Sequence, residues 1–105
     1  MSMRVIWNTE TTRQLDYLLN YLEQEFGQRT MQNFYKRLLS YEPLLATNPG
    51  MGRREPLLEK HPKGFRSIVV HKYCKLIYYV EEDGIHIADL WDTRREPRAQ
   101  ADNTK

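Results

Sequence analysis

The spacing of the apolar residues changes part-way along the chain from the period of a helix to that of a strand, and this change constrains the fold most. Two stripes recur every three or four positions: Leu15, Leu18, Leu19, Leu22 and Phe26, then Met31, Phe34, Tyr35, Leu38 and Leu45. Such spacing places each stripe on one face of a helix. Gly27 separates the stripes, so the sequence predicts a helical hairpin, with a kink or restart at Pro43.

Alternating apolar residues mark the second half of the chain from Phe65 onward. They predict strands over residues 66–70, 74–81 and 85–91, with Asp83-Gly84 as a tight hairpin turn. The alternation changes parity near Ile87, which indicates either a bulge or partial burial of both faces. Before the helices, residues 4–7 predict a first strand, with Asn8 as a helix cap. Residues 51–64 have no regular period and are interpreted as a loop.

This order of elements predicts an α+β fold in which an N-terminal strand precedes a helical hairpin packed on one face of a small, mostly antiparallel sheet (β-α-α-β-β-β). Two helices can cover only one face of such a sheet. We therefore expect an open second face that carries Arg66 or its neighbours, namely Lys75, Tyr79 and Trp91. A length of 105 residues suits one domain. We expect it to span residues 1–97, with residues 98–105 as a polar, flexible tail.

Charge and composition narrow the function classes. Residues 49–79 hold seven basic and two acidic residues, whereas residues 80–105 hold four basic and seven acidic ones. A basic middle suggests a polyanion or an acidic partner, and a solvated surface is the alternative. The N-terminus lacks the apolar core of a signal peptide and no apolar run nears 18 residues, so we expect a cytoplasmic protein without a membrane span. Cys74 is the only cysteine, and no disulfide, metal site or cofactor is predicted.

Several short motifs in this order resemble the RelE/ParE superfamily of toxins from type II toxin–antitoxin systems, which includes plasmid stabilisation proteins. They are Phe65-Arg66 at the start of a strand, the run Lys75-Leu76-Ile77-Tyr78, the end Arg94-Arg95-Glu96-Pro97, and Asn48-Pro49 with Gly52 after the helices. The resemblance extends from Met3 to about Pro97. It implies that residues 1–97 form a RelE/ParE-like toxin domain.

The resemblance leaves three functions open. The first is a ParE-like toxin that inhibits DNA gyrase by protein contact and is neutralised by its antitoxin. The second is a RelE-like ribosome-dependent mRNA endonuclease (an mRNA interferase). The third is a non-toxic protein that binds its antitoxin and co-represses the operon. Ribonuclease members often carry an acid–base residue in the C-terminal tail, whereas residues 98–105 contain no Tyr, His or Cys. This difference favours the ParE branch.

The candidate site residues follow from these alternatives. If the chain is a ribonuclease, His71 would move a proton, and Lys75 and Arg66 would stabilise charge on the phosphate. The residues predicted to bind a target or a phosphate are Arg66, Lys75, Tyr79, Trp91, Arg94 and Arg95. For Arg66 the alternative is a structural ion pair with a carboxylate such as Asp89, and for Tyr79 it is packing rather than base stacking.

The expected partners also come from the resemblance. They are a cognate antitoxin and either DNA gyrase or the ribosome with its mRNA, whereas operator DNA would be contacted only through the antitoxin complex. We expect an acidic or amphipathic antitoxin segment over the helical hairpin and part of the basic sheet edge.

Overall fold

The computed structural model describes residues 2–72, 74–93 and 97–104. Its elements, in chain order, are β1 (Val5–Trp7), α1 (Thr9–Phe26), α2 (Gln28–Thr47), β2 (Arg53–Arg54), a short 3-10 helix (Pro56–Leu58), β3 (Arg66–His71), β4 (Cys74–Glu81), β5 (Gly84–Asp92) and α3 (Pro97–Asn103). The predicted α+β architecture is confirmed. None of the helices in these ranges is long and apolar enough to cross a membrane.

The ends of the two long helices correspond to capping and helix-breaking residues in the sequence. Asn8 caps α1: its side chain accepts from the Thr11 amide at 2.8 Å, and its own amide donates to the Thr11 hydroxyl at 3.0 Å. Gly27, at φ 93°, separates α1 from α2 in a conformation that L residues rarely adopt. The restart expected at Pro43 does not occur, since α2 continues to Thr47. The buried Leu38 and Leu45 hold the helix to the core on either side of the proline.

The sheet has five strands in the order β1-β5-β4-β3-β2. β1 runs parallel to β5, and the other neighbours are antiparallel. The predicted bulge lies in β5: Ile77 pairs with Asp89 and Tyr78 with Ile87, so Ala88 is the extra residue. The edge strand β2 lies in the segment interpreted as a loop. Its two residues were too few to produce a recognisable period.

The main core lies between the helical hairpin and one face of the sheet. Its most buried members come from both layers: Leu22, Phe34, Leu38, Leu45, Val70, Cys74, Leu76, Tyr78, Ile85 and Ile87. The buried helical residues all come from the two stripes in the sequence, but Phe26 and Tyr35 of those stripes are exposed, at 56% and 38%. Burial of this apolar surface orients the hairpin and fixes which strand residues face it.

The second face of the sheet is covered, so the expectation that it stays open is wrong. Leu58, Phe65, Ile77 and Trp91 form a second buried cluster, against which Ala101 of α3 packs. The covering elements are the 3-10 helix and α3, which contact each other. Neither element has an amphipathic period that the sequence analysis could detect. Residues that were described as a polar, flexible tail thus include a helix over this face.

Candidate functional site

The second face is organised around a buried ion pair between Glu55 and Lys75. The Glu55 side chain is 1% exposed and accepts from Lys75 Nζ at 2.5 Å and from the Leu57 amide at 3.1 Å. Burial acts to raise the pKa of the Glu55 carboxyl. The hydrogen bonds from Lys75, the Leu57 amide and Ser67 together lower it by more than burial raises it, so the pKa lies below its usual value. Lys75 is therefore the counter-ion of a buried carboxylate, and its charge is largely neutralised within the chain.

Trp91 lies beside this pair and is bound into a buried hydrogen-bond network. Lys75 Nζ lies 5.2 Å from the centre of the indole. The indole N–H donates to Asp89 Oδ2 at 3.1 Å and to the Thr104 hydroxyl at 3.0 Å, and Thr104 donates to Asp89 Oδ2 at 2.8 Å. Gln14 of α1 donates to the other Asp89 oxygen at 2.9 Å. Trp91 is 2% exposed, so a target could contact its side chain only if the residues that cover it moved away.

Arg66 points toward the helix side of the sheet rather than the second face. Its guanidinium donates to the carbonyl of Gly52 at 2.7 Å and to that of Gly50 at 3.3 Å. Nearby, the Tyr78 hydroxyl donates to the Pro49 carbonyl and accepts from the Gly52 amide, both at 2.8 Å. Arg66 and Tyr78 together hold the loop after α2. The carboxylate pairing considered with Asp89 is not formed, because Asp89 is bound to Trp91, Thr104 and Gln14 instead.

Tyr79 is surrounded on several sides by side chains of the chain itself. His86 stacks on its ring at 4.9 Å with an interplanar angle of 5°, and Lys63 Nζ lies 4.4 Å from the ring centre. Phe65 contacts the same ring edge-on at 5.5 Å. Tyr79 therefore packs against side chains of its own chain, which is the alternative to base stacking considered from the sequence. A nucleic-acid base would have to displace one of these neighbours to stack on it.

His71 lies at the end of β3 on the helix side, where its ring meets Phe34 of α2 at 5.9 Å. Lys75 lies on the opposite face, and Arg66 is at the other end of β3, about 16 Å away at the usual rise of a strand. The structure thus does not bring together the three residues predicted to cleave RNA. Arg94 and Arg95 lie outside the described residues.

Neither a metal-binding cluster nor a reactive thiol is found in the described ranges. No cluster of three or more His, Cys, Asp or Glu residues there could hold a metal ion. Cys74 is buried in the main core, and this burial raises the pKa of its thiol to about 12. A thiol with such a pKa stays protonated near neutral pH and is a poor nucleophile.

The helical hairpin, over which the sequence analysis expects the antitoxin, exposes several large apolar side chains. They are Tyr17, Phe26, Tyr35, Leu39 and Leu44, with Tyr17 at 76%. Tyr17 and Phe26 lie nine positions apart, on opposite sides of α1, so the five residues do not form one patch. The exposure of Tyr17 could have been predicted from the sequence. At 100° per residue, Tyr17 lies almost opposite the apolar stripe of α1. Tyr35 and Leu39, at i and i+4 of α2, share one helix face and are suited to contact with another protein.

The family model of the ParE toxin of type II toxin–antitoxin systems (parDE) matches residues 5–97. This chain belongs to the ParE toxin family. The RelE/ParE resemblance stated from the motifs is thereby confirmed. A solved structure described as a chromosomal ParDE toxin–antitoxin system from P. aeruginosa has the same fold, with a TM-score of 0.69 and 16% identity, over 87% of this chain and 96% of that one. No curated protein matches the sequence.

Proposed function

We propose that this ParE-family chain is a toxin that inhibits DNA gyrase by direct protein contact and that an antitoxin neutralises it. Membership of the ParE family supports the toxin role, and the similar solved structure is described as a toxin–antitoxin system. Gyrase acts on chromosomal and plasmid DNA, so the proposal puts the chain in the cytoplasm.

The position of Lys75 is the observation that carries the choice of gyrase over RNA. Cleavage of RNA needs a proton carrier and a cation directed at one phosphate. Lys75 is paired with the buried Glu55, and His71 lies on the other face of the sheet. Among the described residues, the predicted catalytic groups therefore cannot act on a common phosphate. Inhibition by protein contact needs no such arrangement.

Arg94 and Arg95 are the residues we propose for the contact with gyrase. They follow β5 in the sequence and belong to the segment that matches the family model. Arginine is favoured at protein interfaces because its planar guanidinium can make two parallel hydrogen bonds to a carboxylate. The cations of Lys75 and Arg66 are instead bound inside the chain, which supports the choice of the arginine pair.

For the antitoxin we propose the exposed apolar surface of the hairpin. Tyr35 and Leu39 lie one turn apart on the same face of α2 and expose a ring and methyl groups to solvent. A partner helix or extended segment laid over the hairpin would bury this surface, which stabilises a complex by about 25 cal/mol for each Å² removed from water.

The proposal is tested with purified chain, purified gyrase and relaxed plasmid. We expect the chain to inhibit ATP-dependent supercoiling, and we expect the double variant Arg94→Gln/Arg95→Gln to need at least about tenfold more protein for the same effect, as loss of charged contacts implies. Arg13→Gln is the matched control, because Arg13 is an exposed arginine whose ion pair, among the described residues, is with Glu10 of its own helix.

Two outcomes would redirect the proposal. Normal supercoiling combined with cleaved mRNA on translating ribosomes would identify the RelE-like endonuclease. Normal supercoiling and intact mRNA, in a chain that still binds an antitoxin, would identify the non-toxic co-repressor. Either result contradicts gyrase inhibition.

A further inference from the structure

A group of exposed cations lies on the edge strand β2 and on the loop that follows the short 3-10 helix. This β2 edge patch consists of Arg53, Arg54, Lys60 and Lys63. Residues 53–66 contain five basic and two acidic side chains. One of the acids, Glu55, is buried and already paired with Lys75. The surface of this segment therefore carries an excess of positive charge.

The fold brings the two parts of the patch side by side. The Glu55 amide donates to the Phe65 carbonyl at 3.0 Å, so the chain after β2 runs beside the end of the loop. The Arg54 guanidinium lies against Gly64, since a methyl group added to that glycine would be 3.7 Å from Arg54 Nη2. Lys63 directly precedes this glycine. The two arginines of β2 thus adjoin the loop that holds the two lysines.

The charges of the patch are not neutralised within the part of the chain that the structure describes. No carboxylate there lies within 4 Å of any of the four cationic groups. Arg54 pairs directly across the antiparallel strands with Arg66, and like charges in this arrangement are destabilising. Lys63 Nζ lies 4.4 Å from the centre of the Tyr79 ring, which orients the ammonium without cancelling its charge. An anionic partner would relieve the repulsion among these groups.

We propose that the β2 edge patch binds the phosphate backbone of duplex DNA without reading the base sequence. Several separate cations fit a polyanion better than a single carboxylate, because each DNA strand presents a phosphate about every 3.4 Å along the helix axis. Neighbouring residues of a strand point to opposite faces, so Arg53 and Arg54 can reach phosphates on either side of the edge.

The surroundings of Tyr79 favour duplex DNA over single-stranded RNA. Single-stranded RNA is usually held by bases that stack on aromatic rings. The Tyr79 ring beside the patch is stacked on His86 and contacted by Lys63, so it offers no free face for a base. Contacts with a duplex backbone need only positively charged groups.

This contact goes beyond the proposed function, since it requires neither gyrase nor an antitoxin. If both proposals hold, the duplex is the DNA on which gyrase acts, and the chain would bind the enzyme–DNA complex more tightly than the enzyme alone. The contact would also replace the expectation from the sequence that DNA is reached only through the antitoxin complex.

The test uses the full chain and a fluorescently labelled duplex of about 20 base pairs, with binding followed by anisotropy from about 50 to 200 mM salt. Four phosphate contacts predict a slope of about −3.6 for log K against log salt concentration, which is a loss of affinity of about 150-fold over this range. Arg53→Gln/Arg54→Gln should have a slope of about −1.8 and lose only about tenfold. Lys60→Gln/Lys63→Gln, which leaves β2 unchanged, should lower the slope by the same amount.

Lys36→Gln/Arg37→Gln is the matched control, because it removes the same net charge from two exposed cations of α2. It should keep the native slope. Among the described residues, neither Arg53 and Arg54 nor Lys36 and Arg37 form an ion pair, so all variants should keep the native Tm, which thermal unfolding checks.

Several results would overturn this assignment. Equal slopes in Arg53→Gln/Arg54→Gln and in the control would show that binding reflects net charge alone, and no binding of the duplex at the lowest salt would remove the site altogether. Tighter binding of a single-stranded RNA of the same length would assign the patch to RNA, and displacement of the duplex by polyglutamate at equal charge would assign it to an acidic protein. Supercoiling is assayed separately, so a chain that binds the duplex and leaves gyrase active contradicts only the proposed function.

Discussion

Replacing Lys75 by methionine should destabilise the fold, because it leaves the Glu55 carboxylate buried without its counter-ion. Glu55 is almost fully buried, and within the described part of the chain the Leu57 amide and Ser67 would remain as its donors. Removing one partner of a buried pair costs about 3–5 kcal/mol. The Lys75 side chain is 22% exposed, so water can partly replace it, and we expect about 3 kcal/mol. For a domain of this size that corresponds to a fall in Tm of about 12–24 °C.

The assay is urea and thermal unfolding of Lys75→Met, Glu55→Gln and the double variant. Glutamine keeps an acceptor for the Leu57 amide but carries no charge. The double variant should therefore be more stable than Lys75→Met alone. The coupling energy, which is the difference between the loss in the double variant and the sum of the two single losses, should be at least about 1 kcal/mol. A loss below about 0.5 kcal/mol in Lys75→Met, or strictly additive losses in the double variant, would refute the assignment of the ion pair as the centre of the second face.

The pH dependence should change sign with the same substitution. In the native chain the pKa of Glu55 lies below its usual value of 4.5, so its contribution to stability is present above that pH and is lost as the pH falls through the folded pKa. Without Lys75, burial is the largest influence on Glu55, and among the described residues the Leu57 amide and Ser67 remain to oppose it, so we expect the pKa of Glu55 in the folded variant to lie above its usual value. The variant should then lose stability as the pH rises above 4.5, whereas the native chain should not. Unfolding curves at pH 4.5 and pH 7 distinguish the two cases.

Three further changes test other parts of the structure. In Gly52→Ala the new methyl would lie 2.7 Å from the Tyr78 hydroxyl, so unfolding should show a loss of about 1–3 kcal/mol, and native stability would contradict this contact. The Cys74 thiol, with its pKa raised to about 12, should resist alkylation at pH 8 in the folded chain and react readily in urea; rapid labelling of folded protein would refute its burial. Thr104→Val removes a hydrogen-bond partner of Trp91, so α3 should become more sensitive to limited proteolysis, and unchanged cleavage would show that this bond does not retain the helix.

The elements with long, regular periods could be predicted from the sequence. The stripes around Leu18 and Leu38 predicted the hairpin, and Asn8 predicted the N-cap of its first helix. The parity change near Ile87 indicated the bulge. These features depend on residues close together in the chain, where periodicity and capping act. The RelE/ParE resemblance rested separately on short motifs, which are also made of residues close together in the chain.

The second face could not be predicted, because its contacts join residues far apart in the chain. Glu55 and Lys75 are separated by 20 positions, and Gln14 reaches Asp89 across 75. Nothing in the spacing of Thr104 indicated that it would bond to Trp91. The family resemblance assigned Lys75 and Arg66 to a target or a phosphate, whereas in the folded chain each finds an internal acceptor. Buried polar groups must find such partners, and only the tertiary structure determines which.

Plasmid topology in bacteria that express this chain from an inducible promoter tests the central claim most directly. Topoisomer distributions and the 5′ ends of ribosome-bound mRNA are recorded from the same culture within minutes of induction. Gyrase inhibition predicts relaxed plasmid with intact mRNA, lost in Arg94→Gln/Arg95→Gln and retained in Arg13→Gln. Normal supercoiling with cleaved mRNA, abolished by Lys75→Met at a temperature where that variant is folded, would contradict the account.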